Sequence, residues 1–140
     1  MPEFPELRAY LDSNVLFSAS RDEPSRFLNL WRLRGVEVVT SQYAVGEVSR
    51  NIESPEHRKR FEDLLGRTQF VSDADVRLVP VDAPLVAKDQ PILAAAIAAS
   101  VDYLVTGDKR HFMHLYAKTI SGVHVIGPAD FLLRRKDRLL

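Results

Sequence analysis

The sequence predicts an α/β protein: a three-layer domain with a central, mainly parallel sheet of about four to five strands flanked by helices. Three observations carry this prediction. Short β-branched runs such as Val36-Glu37-Val38-Val39-Thr40 alternate with longer stretches of helical periodicity. Small polar or acidic residues stand where several of these runs hand over to a helix. The strand and helix patterns alternate along the whole chain, which suits right-handed crossovers between parallel strands.

Residues Leu7 to Leu11 form the first strand, closed by Asp12-Ser13-Asn14, a cluster suited to capping a short helix that runs through Ala19. After the polar segment 20–23, Pro24 opens a second helix in which Phe27, Leu28 and Trp31 recur at helical spacing, with Leu30 close by, until Gly35 stops it. The β-branched residues 36–40 are the second strand, and Ser41 is placed to cap the next helix. There Ala44, Val45, Val48 and Ile52 make an apolar stripe, with Glu47 beside it and toward an edge.

Ser54-Pro55-Glu56 starts a charged helix that turns Phe61, Leu64 and Leu65 inward and ends at Gly66. The third strand is drawn from residues 69–71 or 76–81, and the second run is preferred, with Pro80 marking a strand end or edge. Asp89-Gln90-Pro91 leads into residues 92–99, an alanine-rich stretch so apolar that it reads as a buried helix packed on the sheet. Residues 101–106 are a strand, Gly107-Asp108 a turn, and the stretch to about Tyr116 a short helix. Residues 123–126 form the last strand, and Pro128 starts a basic terminal helix.

With 140 residues, 46% of them hydrophobic, the chain is long enough for one core, and a single domain over residues 1–140 is expected. The absence of cysteine removes disulfides, thiolate nucleophiles and Cys-type metal sites. The start Met-Pro-Glu-Phe-Pro-Glu lacks the pattern of a secretory leader, and no later stretch is apolar for long enough to span a membrane, so a soluble cytoplasmic protein is expected. Nineteen basic and nineteen acidic residues cancel, so overall charge gives no sign of nucleic-acid binding. Only local clusters remain for that role: Arg58-Lys59-Arg60, and Arg134, Arg135, Lys136 and Arg138. A phosphate-binding Gly-x-Gly-x-x-Gly or P-loop and an esterase Gly-x-Ser-x-Gly elbow are both missing.

Four acids then stand out. Asp12, Asp89 and Asp108 sit at strand-to-helix junctions and Glu47 lies within a helix, and in a parallel sheet such positions converge on the carboxyl edge of the strands. Gathered there, they would repel one another unless a cation neutralised them, and oxygen ligands without a thiolate favour Mg²⁺ or Mn²⁺. Helix capping is an alternative for Asp12, Asp89 and Asp108, but it gives no reason for a glutamate in mid-helix. His111 and His114, three apart on a predicted helix, read as a surface pair, with a nitrogen ligand as the alternative. Lys109 is either a phosphate contact or an ordinary solvated lysine.

The order Leu11-Asp12-Ser13-Asn14, the acidic helix position Glu47, Asp89-Gln90-Pro91-Ile92-Leu93-Ala94-Ala95-Ala96, and Leu104-Val105-Thr106-Gly107-Asp108-Lys109 resembles the PIN-domain family, of the VapC-like toxin kind. The resemblance covers nearly the whole chain. It implies that Asp12, Glu47, Asp89 and Asp108 are catalytic acids holding Mg²⁺ or Mn²⁺, with Asn14 and Thr106 as supporting residues and Ser13 and Lys109 as weaker substrate contacts. It also implies a ribonuclease that leaves 5′-phosphate and 3′-hydroxyl ends, an RNA substrate, a cognate antitoxin and a homodimer. Where many such domains carry a further acid, this chain reads Lys109-Arg110-His111-Phe112. One fully protein-bound ion is therefore expected, with any second ion completed by substrate phosphate and water. The competing class is a catalytically weak module of the same fold that binds RNA or protein.

Overall fold

Parallel strands need their hydrogen-bonding neighbours brought back by helices, and the chain supplies both in alternation. The computed structural model describes residues 5–21 and 24–139. Met1 to Phe4, on which the leader expectation partly rests, and Asp22-Glu23 of the polar segment lie outside the described residues. The elements are β1 (Leu7–Leu11), α1 (Ser13–Arg21), β2 (Val36–Ser41), α2 (Gln42–Asn51), α3 (Pro55–Leu65), β3 (Gln69–Val71), α4 (Gln90–Ala98), β4 (Tyr103–Val105), α5 (Lys109–Phe112), β5 (Thr119–Ile120), β6 (Val123–Ile126) and α6 (Pro128–Arg134). They build the expected α/β architecture, with the helices flanking one sheet of order β3-β2-β1-β4-β6-β5. All pairings are parallel except that of the two-residue β5 with β6, which brings the sheet to six strands.

The core follows from the apolar pattern. Tyr10, Leu11, Leu16, Leu93, Leu104 and Phe131 are fully buried, and each such side chain contributes roughly 1.5–3 kcal/mol relative to exposure. In α4 the run Ile92, Leu93, Ala94, Ala95 and Ala96 is buried without a break, so the alanine-rich stretch is the interior helix its composition predicts. Small side chains let that helix approach its neighbours closely. In α3, Ser54 Oγ accepts from the His57 amide at 3.1 Å and Pro55 occupies the first turn. Phe61 and Leu64 face inward as expected, and His57 joins them, its Nε2 at 2.9 Å from Ser20 Oγ.

Three sequence expectations are corrected. The helix after Pro24 is a 3₁₀ helix over Arg26–Arg32, opened by Ser25, whose side chain accepts from the Phe27 amide. The third strand is Gln69–Val71 rather than residues 76–81. Thr68 donates to Leu64 O at 2.6 Å and accepts from Trp31 Nε1 at 2.9 Å, and this fixes the chain beside β2 directly after α3. By Val76–Leu78 the chain has turned into a 3₁₀ segment, because the Asp75 carboxylate accepts from the Arg77 amide at 2.9 Å. Ser41 stands at the start of α2 but makes no side-chain cap, since its hydroxyl bonds Tyr10 Oη at 2.6 Å.

The segment ahead of α4 is tied down on two sides. The Tyr43 amide donates to the Asp73 carboxylate (3.2 Å), and the Tyr43 hydroxyl donates to Lys88 O (2.6 Å). His114 Nε2 lies 2.7 Å from Pro84 O. These contacts hold Lys88 and Asp89 over the carboxyl edge of the sheet.

Candidate metal centre

In the sheet order, β2 lies on one side of β1 and β4 on the other, so the connections that leave these strands diverge and open a crevice at the carboxyl edge. Asp12 follows β1 and is registered against β4 by its amide, which donates to Val105 O at 3.0 Å. Thr106, Gly107 and Asp108 follow β4. Glu47 comes from α2 and Asp89 from the 3₁₀ turn Ala87–Asp89 ahead of α4. All four acids line one open cavity of about 610 Å³.

Asp12 is the most enclosed of them, 2% exposed. Its Oδ1 accepts from the Ser13 amide at 2.6 Å and from Ser13 Oγ at 3.3 Å. Its Oδ2 accepts from Thr106 Oγ1 at 2.8 Å and from Asn14 Nδ2 at 3.2 Å. Thr106 Oγ1 in turn accepts from the Asp108 amide at 3.1 Å, and Asn14 Oδ1 from the Gly107 amide at 2.8 Å. A Cβ on Gly107 would stand 3.2 Å from Asn14 Oδ1, so a side chain there would press on this network. Asn14 and Thr106 thus connect the β1 and β4 ends through the carboxylate of Asp12.

The capping alternative separates the acids. Asp108 does cap α5, its Oδ1 accepting from the His111 amide at 3.1 Å, which leaves Oδ2 for another partner. Asp12 accepts from the next residue's amide rather than from one two or three residues on. Asp89 makes no side-chain cap at all. Its side chain is 7% exposed, and its Oδ2 is buried with no hydrogen-bond partner among the described residues.

Burial pushes the Asp12 carboxyl up to about 6, against the pull of its Thr106 and Ser13 donors, and the charges of Asp89 and Glu47 add to the rise. Burial also raises Asp89, opposed by His111 and Lys88. Both shifts arise first from burial, and neighbouring carboxylates add to each.

Other residues fall differently from their sequence reading. His111 is no surface residue, since its Nδ1 stands 2.8 Å from Asp89 Oδ2 and 2.9 Å from Asp108 Oδ2. The signal was its spacing, because three residues after Asp108 on a helix returns to the same face. Ser13 lines the acidic cavity, but Lys109 lines a neighbouring cavity of about 600 Å³ that shares Asn14 and Ser18 with it. The lysine at the acids is Lys88, which the sequence reading passed over. Arg134, Arg135 and Arg138 gather with Leu7, Val36 and Tyr103 at the amino ends of β1, β2 and β4, the opposite edge of the sheet. Arg58 and Arg60 donate to backbone carbonyls of Ser49 and Ser20.

Comparison with known proteins agrees with this fold. The PIN-domain family model matches residues 8–110. Among solved structures, a chain of VapBC2 from Rickettsia felis, determined bound to a DNA fragment from their promoter, superposes with a TM-score of 0.63 at 16% identity, covering 86% of this chain and 98% of that one. At that identity the likeness speaks for the fold. No curated protein sequence matches significantly.

Proposed function

The chain belongs to the PIN-domain family, and on that premise we propose that it is a divalent-cation-dependent endoribonuclease, the cytoplasmic toxin of a toxin–antitoxin pair. One observation carries the reading: Asp12, Glu47, Asp89 and Asp108 line a single cavity at the carboxyl edge of the sheet, two of them buried. Acids so placed destabilise the fold unless their charge is used.

The residues fit a hard cation. The donor set is carboxylate oxygen, and Asp89 Oδ2 is buried with His111 Nδ1 2.8 Å away but no aligned hydrogen bond among the described residues, which suits an oxygen that takes a ligand. Asp12, Asp89 and Asp108 would hold Mg²⁺ or Mn²⁺, with Glu47 as ligand or as acceptor for a coordinated water. When bound, the cation supplies the positive charge that makes water acidic and offsets charge developing on the phosphate.

The remaining work belongs to the chain. Thr106, Asn14 and Ser13 fix both oxygens of Asp12, so the carboxylate meets the site in one orientation without reorganising. Lys88, at the cavity, offers an RNA phosphate the positive charge that the acids lack. The neighbouring cavity carries Lys109 and Arg26, so a strand passing from one cavity to the other meets cations on both sides of the acids. Ser13, on the acid cavity wall, is within reach of the same strand. An antitoxin segment that fills the acidic cavity would block this path, and a homodimer belongs to the same reading.

Digestion of total RNA with Mn²⁺, beside the Asp12→Asn protein and with fragment ends mapped, tests the proposal. The parent is expected to give 5′-phosphate and 3′-hydroxyl ends and the variant to give none. Equal cleavage by both proteins would overturn the site.

A further inference from the structure

Asp89 Oδ2 and His111 Nδ1 approach to 2.8 Å, yet each is buried and neither makes a hydrogen bond among the described residues. The ring and the carboxylate are close without being aligned for one another. The same nitrogen stands 2.9 Å from Asp108 Oδ2, and one donor atom from each of Asp89, Asp108 and His111 lies within 4.8 Å of the other two. Adjacent ligands of an octahedral ion bonded at about 2.0–2.1 Å stand about 2.9 Å apart. The two spacings that share Nδ1, 2.8 and 2.9 Å, match that edge.

We infer that His111 Nδ1 is a direct ligand of the cation held by Asp89 and Asp108, and that this nitrogen makes the site selective for Mn²⁺ over Mg²⁺. The inference rests on the cation-site reading above and adds to it a donor of a different kind. Oxygen-only sites suit Mg²⁺, which gains little from imidazole, whereas first-row transition ions accept it readily. The short α5 is what presents the ring. Asp108 caps the helix with Oδ1, which fixes His111 three residues on and leaves Oδ2 and Nδ1 pointing at one volume. Asp89 closes that volume from the turn ahead of α4.

The alternative is that a protonated His111 occupies the cation's place and simply pairs with the two carboxylates. Electron spin echo spectroscopy of the full chain loaded with Mn²⁺ separates the two, with ¹⁵N-histidine labelling to identify the nitrogen. One directly bonded histidine nitrogen is expected to modulate the echo and to vanish in His111→Gln. In His111→Asp, which keeps a ligand but makes it oxygen, Mn²⁺ still binds and its preference over Mg²⁺ in competition titration falls about tenfold or more. Bound Mn²⁺ with no nitrogen modulation, or an unchanged preference in His111→Asp, overturns the ligand assignment alone. Failure of Mn²⁺ to bind the parent at all overturns the cation site and the ligand with it.

Discussion

At the scale of single residues, Asp12 concentrates the cost of the site. Its carboxyl is pushed up to about 6 from an ordinary 3.8, chiefly by burial. Between those values the native state holds more protons than the unfolded state, so stability falls as pH rises through the window and levels off above it. Asp12→Asn removes that charge at nearly constant volume. Without metal, the variant is therefore expected to match the parent near pH 4 and to exceed its melting temperature by on the order of 5–10 °C at pH 7. A difference that does not grow with pH would mean that the shift is not there. Thr106 is the second test, because its hydroxyl both donates to Asp12 and accepts from the Asp108 amide. Thr106→Val keeps the shape and loses both bonds, so Mn²⁺ affinity should drop about 10–100-fold by titration while the circular dichroism spectrum is retained. Asp12 and Asp108 were legible in the sequence because β-branched runs mark strand ends, and strand ends share an edge, whereas Asp89 ends a 3₁₀ turn and Glu47 lies within α2. For His111 the sequence held only its three-residue spacing from Asp108, because its inward turn also depends on the four-residue length of α5 and on the cap at Asp108.

Among the elements, legibility followed how local the cause was. β1 and α3 lie where the sequence places them, as do the starts of β2 and of the terminal helix, because β-branched runs, Ser-Pro starts and glycine stops act within a few residues. β3 depended on more distant partners: Trp31 reaching Thr68, and a β2 edge already paired before residue 76 is reached. The element with the most leverage on the site is α4, which carries Asp89 at its start and buries Ala95 and Ala96 in the core. A larger side chain at Ala95 has no free space, and overpacking of this kind costs about 1–3 kcal/mol. Ala95→Leu is expected to lower the melting temperature and, by shifting the start of α4, to weaken Mn²⁺ binding. Ala99→Leu, at the partly buried far end of the helix, serves as the comparison in the same thermal and titration assays and should affect metal binding less.

For the whole molecule, fold and site pull in opposite directions, which a cation bound as proposed would reconcile. The parallel sheet must bring the ends of β1 and β4 together to form its core, and in doing so it brings four acids to one cavity. A ligand that binds only the native state stabilises it by about 2.7 kcal/mol at 100 times its dissociation constant. For a chain of 140 residues that corresponds to a rise in melting temperature of roughly 5–10 °C. The same ion must compete with protons for Asp12, whose carboxyl titrates at about 6. At pH 7 most of that carboxyl is free to bind. At pH 5 only about a tenth of it is, so the apparent affinity should fall about tenfold, and a fixed Mn²⁺ concentration should stabilise the protein less. Thermal melts in Mn²⁺ and in EDTA at pH 5 and pH 7 measure both effects. The gap between the two melts should be wide at pH 7, narrower at pH 5 and nearly absent for Asp108→Asn at either pH. A gap that persists in that variant would place the stabilising ion elsewhere on the protein.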